Sequence, residues 1–190
     1  VVDNCSTDSS VAIVEEFENK NIRLTQCATQ GVCSARNHGV SLAKGEWILF
    51  LDGDDQIEPS HIQGLIDLAH PAEDVDIVAG GWVEVSEVSG KSEVKLPPRL
   101  EFIRKFGAPW ISYPPWAVHA AIVRKARLTD VFLWPVELNV LSCEDIVFWF
   151  KLTQVSKIEI SNSISAKYRV QVVDGRTPKD DYKNWCNGYL

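Results

Sequence analysis

The chain has 190 residues, 45% of them hydrophobic and 24% charged, which is enough for one domain with a packed core. Its formal net charge of −7 argues against a basic face for nucleic acid. No apolar run approaches the roughly 20 residues of a membrane span.

The five cysteines, Cys5, Cys27, Cys33, Cys143 and Cys186, are scattered and form no CxxC pair. That pattern favours free thiols in a reducing compartment over a zinc site. The chain has no methionine and opens on Val1-Val2, which reads as the tail of a strand. It is therefore expected to be part of a longer product, with an upstream strand missing. Its polar opening lacks a signal-peptide pattern.

Asp3-Asn4-Cys5-Ser6-Thr7-Asp8 is a cap-rich loop, followed by a helix in which Val11, Val14 and Phe17 recur at helical spacing, with Asp8 or Ser9 as N-cap. Ile22 to Thr25 is a short strand. Gly31 opens a loop, Ser34 to Ala43 is a helix, and Gly45 stops it. Trp47 to Leu51 is a bulky apolar run, too short for a core helix and consistent with a strand buried on both faces. Glu58-Pro59-Ser60 starts a helix carrying Ile62, Leu65, Ile66 and Ala69, and Asp76 to Ala79 is another buried strand. This alternation is that of a parallel, doubly wound sheet.

The second half is less regular. Trp82 to Val88 and Glu93 to Leu96 flank Ser89-Gly90-Lys91-Ser92, a hairpin, and Pro97-Pro98 breaks the chain. A helix is expected over 100–106, then a proline-rich aromatic loop with Trp110, Tyr113 and Trp116. Val118 to Val123 is strand-like. Glu144 to Val155 is a helix with Ile146, Phe150 and Leu152 inward. Lys157 to Val170 is a late strand or strand pair, and the tail from Lys179 is a helix or disordered. One domain, 1–190, is the simplest account: a nucleotide-type half at 1–80, a more irregular half at 81–170, and a tail at 171–190.

The chemistry begins where the apolar run of Trp47 to Leu51 stops at Asp52-Gly53-Asp54-Asp55. Open α/β sheets bind ligands beyond the carboxyl ends of their strands. Carboxylates crowded there raise one another's pKa unless a cation joins them, and hard oxygen ligands suit Mg²⁺ or Mn²⁺, which in turn hold phosphates. The competing reading is an Asp-Gly turn. A phosphatase-type aspartyl nucleophile is disfavoured, because glycine lies between the acids and Gln56 follows.

Three further segments carry candidates. Asp3 and Asn4 sit too early to cap the first helix, which leaves them for ligand contact. Arg36 falls near a helix start, where the dipole disfavours a cation and a bound anion would restore balance. His38 reads as a surface or helix-packing residue rather than a catalytic one, and His119 as a core residue rather than a sugar contact. Glu144 and Asp145 open the late helix, where the dipole favours carboxylates and a carboxylate can act as a base; plain first-turn capping is the alternative. The faces of Trp110 and Trp116 could stack on sugar C–H surfaces or pack in the core.

VVDNCSTD followed by GVCSARNHGVSLAKGEWILFLDGDD resembles the family-two glycosyltransferases with the GT-A fold, whose usual pattern is VVDDGSTD, an ARN segment and FLDSDD. The order and spacing agree over the first 60 or so residues. The resemblance implies an α/β GT-A fold: a Rossmann-like, mostly parallel sheet flanked by helices, with a smaller antiparallel region on the acceptor side. It also implies an inverting, metal-dependent transfer of a sugar from a nucleotide diphosphate donor, a UDP-sugar in the first instance, to a hydroxyl of a saccharide or lipid-linked acceptor.

In that pattern Asp3 and Asn4 would bind the base, although Asn4 departs from the commoner Asp. Arg36 would contact the nucleotide, and Asp52 and Asp54 would carry Mn²⁺ or Mg²⁺ and the ribose or diphosphate. Asp55 would be an accessory. Asp145 would be the catalytic base beside Glu144. Tyr168-Arg169 resembles a family segment that brings Arg169 to the phosphates, but the basic, glycine-rich continuation is replaced by Val170-Gln171-Val172-Val173. Trp110 and Trp116 would meet the acceptor. Such an enzyme is expected in the cytoplasm, at the inner face of the membrane if parts outside this chain carry it there. The rival readings are a nucleotidyltransferase, whose glycine-rich basic loop is not visible here, and a non-catalytic nucleotide-sugar-binding domain.

Overall fold

The structure is a computed structural model and describes residues 1–17, 21–70, 74–86, 88–101, 114–139 and 143–170. The expected helix over 100–106 falls almost wholly outside these residues. So do Trp110, Tyr113, the segment from 171 and the tail helix.

The helices are α1 (Ser10–Glu15), α2 (Val32–Leu42), α3 (His61–Ala69) and α4 (Glu144–Val155). The strands are β1 (Val2–Asp3), β2 (Thr25–Gln26), β3 (Trp47–Leu49), β4 (Gln56–Ile57), β5 (Ile77–Ser86), β6 (Ser92–Lys95), β7 (Ala121–Arg124) and β8 (Ile158–Val170). β1 and β2 pair in parallel as a small separate sheet. The large sheet runs β3-β7-β5-β8-β4, with β6 on β5.

β5 and β8 are parallel, whereas β3–β7, β5–β7, β5–β6 and β4–β8 are antiparallel. The α/β architecture is as expected, and the pairing is mixed. The antiparallel pairs come from the second half of the chain, whose β7 and β8 fold back onto strands of the first.

Side chains alternate between the two faces of the central strand, and the first six residues of β5 are all buried, as a sheet covered on both faces requires. Ile77 and Ala79 of β5 face a large core with Phe50, Trp134, Phe148 and Trp149, on the side of α2 and α4. Val78 faces the other way, into a smaller core with Leu65, Ala69, Val75 and Ile122 under α3. A strand expected at 76–79 and a hairpin arm from Trp82 are one continuous β5. The join is at Gly80-Gly81, where the register with β8 shifts. A Cβ on Gly81 would come within 2.8 Å of Leu96 Cδ2 and 3.0 Å of the Lys95 carbonyl oxygen, so glycine lets β6 approach.

Several boundaries move. The run 118–120 is a 3₁₀ turn, and the strand proper starts at Ala121. The helix expected from Ser34 starts at Val32. In α4 the inward residues are Ile146, Phe148, Trp149, Leu152 and Thr153, while Phe150 is 36% exposed. Helical geometry explains the change: a stripe through 146, 149, 152 and 153 excludes 150, and it buries the larger aromatic surface. α1 buries no residue, and Phe17 is exposed.

Candidate active site

The acid loop is anchored from inside. Phe50, just past β3, is buried edge-on against Trp134 and Phe148, at ring distances of 5.1 and 5.8 Å. The chain then turns outward, and the Asp55 N–H donates to the Asp52 carbonyl at 3.2 Å. Gly53 is not in a left-handed conformation, and a Cβ there would meet nothing within 4 Å. Backbone geometry therefore does not demand glycine at this turn, which weakens the simple Asp-Gly turn reading.

The three acids part company. Asp54 is exposed and has no hydrogen-bond partner among the described residues. Both Asp52 oxygens accept from Arg36 Nη2, each at 2.8 Å. Asp55 turns inward, its side chain 2% exposed. Its Oδ1 accepts the Arg169 backbone N–H at 3.0 Å, and its Oδ2 lies 3.0 Å from His119 Nδ1, out of line for a hydrogen bond but close enough for an ion pair.

Arg36 and Asn37 both act from α2. Asn37 exchanges two hydrogen bonds with the backbone of Trp134, donating to its carbonyl and accepting from its N–H, both at 2.9 Å. Trp134 lies flat on Phe148 at 3.9 Å, and the Arg36 guanidinium sits 4.1 Å from the centre of the indole. Arg36 Nη1 also reaches Glu144 Oε1 at 3.4 Å. One cation thus joins the acid loop to the first turn of α4, which lies 108 residues beyond Arg36 in the chain.

The start of α2 is built by two asparagines. Gly31 is its N-cap at φ +124°, and a Cβ there would fall 2.3 Å from Asn139 Cγ. Asn139 Oδ1 accepts the Cys33 N–H at 2.9 Å, doing the capping that glycine cannot. Asn4 Oδ1 accepts the Gly31 N–H at 2.7 Å, and Asn4 Nδ2 donates to the Cys27 and Thr29 carbonyls at 3.0 and 2.8 Å. The Asn4 amide thereby ties the first loop to α2. Asp3 is buried at the end of β1 and accepts the Ser6 N–H at 3.2 Å. His38 Nε2 meets Thr25 Oγ1 at 3.0 Å, a packing role.

At α4, burial is the dominant force on the acids. Burial raises the Glu144 carboxyl, partly countered by the helix N–H groups and Arg36. Asp145 is pushed up to about 7, first by burial and then by Glu144, against the Ile146 N–H that its Oδ1 accepts at 2.8 Å. Cys143 and Cys33 are buried thiols raised to about 11 and about 12, burial again leading in each case. Both are therefore neutral and inert near neutral pH.

Tyr168, which in the sequence only flanks Arg169, stands out in the structure. Its phenol is raised to about 12, first by burial and then by Asp55, Asp145, Asp54 and Asp52. It stands in the combined field of both acidic groups, remains protonated, and keeps 40% of its surface exposed. Trp116, by contrast, is fully buried, edge-on to Trp149 at 5.2 Å. That position leaves no face for a sugar, so Trp116 is a core residue rather than an acceptor platform.

No group of three or more His, Cys, Asp or Glu side chains converges as a metal cage among the described residues. A fit is still available. Mg²⁺-type sites commonly use one or two carboxylates together with substrate phosphates, and Asp54 is an exposed carboxylate at a strand end.

A mixed sheet flanked by helices, with acids beyond β3 tied by Arg36 to the start of α4, fits the GT-A fold. The sequence model of glycosyl transferase family 2 matches residues 1–128, and the chain belongs to that family.

Among relatives, the chain is similar to the succinoglycan biosynthesis protein ExoO of Rhizobium meliloti, 37% identical over 73 residues. That match covers 38% of this chain and 21% of ExoO. It is also similar to the poly(ribitol-phosphate) beta-N-acetylglucosaminyltransferase TarS of Staphylococcus aureus, 45% identical over 60 residues, or 30% of this chain and 10% of TarS. The crystal structure of S. aureus TarS 1–349 superposes with a TM-score of 0.68 at 25% identity, covering 89% of this chain and 50% of that one. The same TarS fragment in complex with UDP-GlcNAc superposes equally well at 23% identity, a likeness of fold. The chain thus spans about half of that TarS fragment, and its matches span about a fifth or less of these two curated relatives. No helix among the described residues is long and apolar enough to cross a membrane.

Proposed function

We propose that this chain carries the donor site and catalytic base of an inverting, metal-dependent glycosyltransferase. The enzyme moves a sugar from a nucleotide diphosphate, a UDP-sugar in the first instance, to a hydroxyl of a saccharide or lipid-linked acceptor. A lipid-linked acceptor would put the reaction at the cytoplasmic face of a membrane. The observation that carries the reading is the Arg36 bridge, which joins Asp52 of the acid loop to Glu144, the neighbour of Asp145. The relative named as an N-acetylglucosaminyltransferase, and its fragment solved in complex with UDP-GlcNAc, make UDP-GlcNAc the first donor to test.

In this reading Asp54, with Asp52 nearby, holds Mn²⁺ or Mg²⁺. The ion supplies positive charge for a departing diphosphate. Asp145 accepts the proton of the acceptor hydroxyl. The hydroxyl oxygen then bonds to the anomeric carbon as the bond to the diphosphate oxygen breaks, and the electron pair leaves with the nucleoside diphosphate. One displacement inverts the anomeric centre. Arg36 holds Asp52 and Glu144 in place. Asp3 and Asn4 shape the base end, and Arg169 stands at the phosphate side.

A thermal-shift screen of UDP, GDP and their sugars, with and without Mn²⁺, tests the donor. Stabilisation by a uridine nucleotide that needs the metal is expected. Asp145→Asn should keep that binding and lose transfer; normal turnover by this variant would place the base elsewhere.

A further inference from the structure

Of the three acids in the loop, Asp55 fits the donor reading least, yet it is the one withdrawn from solvent: its side chain is 2% exposed, against 37% for Asp52. It connects three separate segments. Its own loop supplies the carboxylate. The 3₁₀ turn at Val118–Ala120 supplies the His119 ring, 3.0 Å away, and β8 supplies the Arg169 N–H, also at 3.0 Å.

His119 is held from behind. Its side chain is fully buried, and its carbonyl accepts from His61 Nε2 at 2.9 Å. With that nitrogen donating, His61 Nδ1 must accept from the Ser165 hydroxyl, at 2.7 Å. Burial keeps His61 below its ordinary value, in keeping with the neutral ring this arrangement needs.

The front of His119 faces the site. Its ring stacks on Tyr168 at 6.4 Å and 23°. β4 leaves the acid loop directly and pairs with β8 at Gln56↔Lys167. Tyr168 is the next β8 residue, and Arg169, bonded to Asp55, follows it. A carboxyl group withdrawn this far from solvent would be a costly way to staple a surface loop. What it fixes is one half-exposed phenol, a neutral donor standing among carboxylates that cannot themselves donate to a phosphate.

We infer that Asp55 is a positioning residue of the donor site. Through His119 and the Arg169 N–H it fixes the Tyr168 ring, and the Tyr168 hydroxyl donates a hydrogen bond to the diphosphate of a bound nucleotide. This rests on the nucleotide-sugar reading above. It separates the three acids by role: Asp54 toward the metal, Asp52 on Arg36, and Asp55 acting at one remove.

Calorimetric binding of UDP in the presence of Mn²⁺, paired with thermal melts of the same chain, tests it. Tyr168→Phe should weaken UDP by about tenfold, the effect of one lost hydrogen bond to a charged group, with melting within about 2 °C of wild type. Asp55→Ala should weaken UDP about as much, whereas Asp55→Asn still accepts the Arg169 N–H and should stay within about threefold.

Unchanged affinity in Tyr168→Phe overturns the inference, and it decides the matter if Asp55→Ala does not fold. A lower melting temperature without weaker binding in Asp55→Ala makes Asp55 a staple only and also overturns it. Equal losses in Asp55→Asn and Asp55→Ala would mark Asp55 as a direct charge ligand, again against it. If wild type itself fails to bind UDP with Mn²⁺, the donor reading falls, and this inference falls with it.

Discussion

The two faces of the large sheet solve different problems with the same strand. Toward α3, β5 contributes Val78 to a core of Leu65, Ala69, Val75 and Ile122, all apolar. Toward α2 and α4 it contributes Ile77 and Ala79 to an aromatic core of Phe50, Trp134, Phe148 and Trp149. Charge gathers at the rim of this second core, where Arg36 lies on Trp134 and binds Asp52 and Glu144. The α3 face is built for stability. The other face supports desolvated acids, which is unfavourable for folding and useful for chemistry.

Removing the cation should expose this difference most sharply. Arg36→Ala leaves Glu144 and Asp52 facing each other without a partner. A loss of about 3–5 kcal/mol in denaturant unfolding is expected, together with loss of transfer. Arg36→Lys should recover part of the stability, but a single ammonium cannot reach Asp52 and Glu144 from two separate nitrogens as Arg36 does through Nη2 and Nη1.

On the opposite face, Leu65→Ala should cost about 2–4 kcal/mol through the cavity it leaves, with UDP affinity unchanged at temperatures well below melting. If that variant weakened UDP binding, the two faces would not be separable.

The smallest effect carries a sign. Asp145 is held up to about 7 in the folded chain, above the ordinary aspartate value. The folded state therefore binds this proton more tightly than the unfolded state, and the stability it lends is lost as pH rises from about 4 toward about 7. Asp145→Asn removes that dependence. The variant should match wild type near pH 4 and exceed it by about 1–3 kcal/mol near pH 8, measured by melts at both values. Transfer by wild type should rise with pH through about 7, as the base ionises.

The contrast between the faces also explains what the sequence could show. β3, the acids after it, the helix carrying Arg36 and the acidic start of α4 were all legible, because each is a local pattern of apolar run, cap and charge. The partners were not. Arg36 and Glu144 are 108 residues apart, and Asp55 meets the Arg169 N–H across 114. Local periodicity is blind at that range.

Arg36 is legible as a cation near a helix start, but its contacts with Asp52 and Glu144 appear only in the fold. Trp116 had the composition of a sugar platform, but it is buried against Trp149. Trp134 and Asn139 were missed, because a lone tryptophan and a lone asparagine announce nothing until α2 packs on them. Gly31 was noticed as a loop opener. Its deeper reason, the Asn139 side chain lying where a Cβ would sit, is a tertiary fact.

The most direct test of the donor site is calorimetric titration of UDP with Mn²⁺ into wild type and Asp54→Ala. Metal-dependent binding by wild type, lost in Asp54→Ala while its melting temperature is kept, is the expected result. Equal metal-dependent binding by both proteins would contradict the assignment of the acid loop as the place where metal and diphosphate meet.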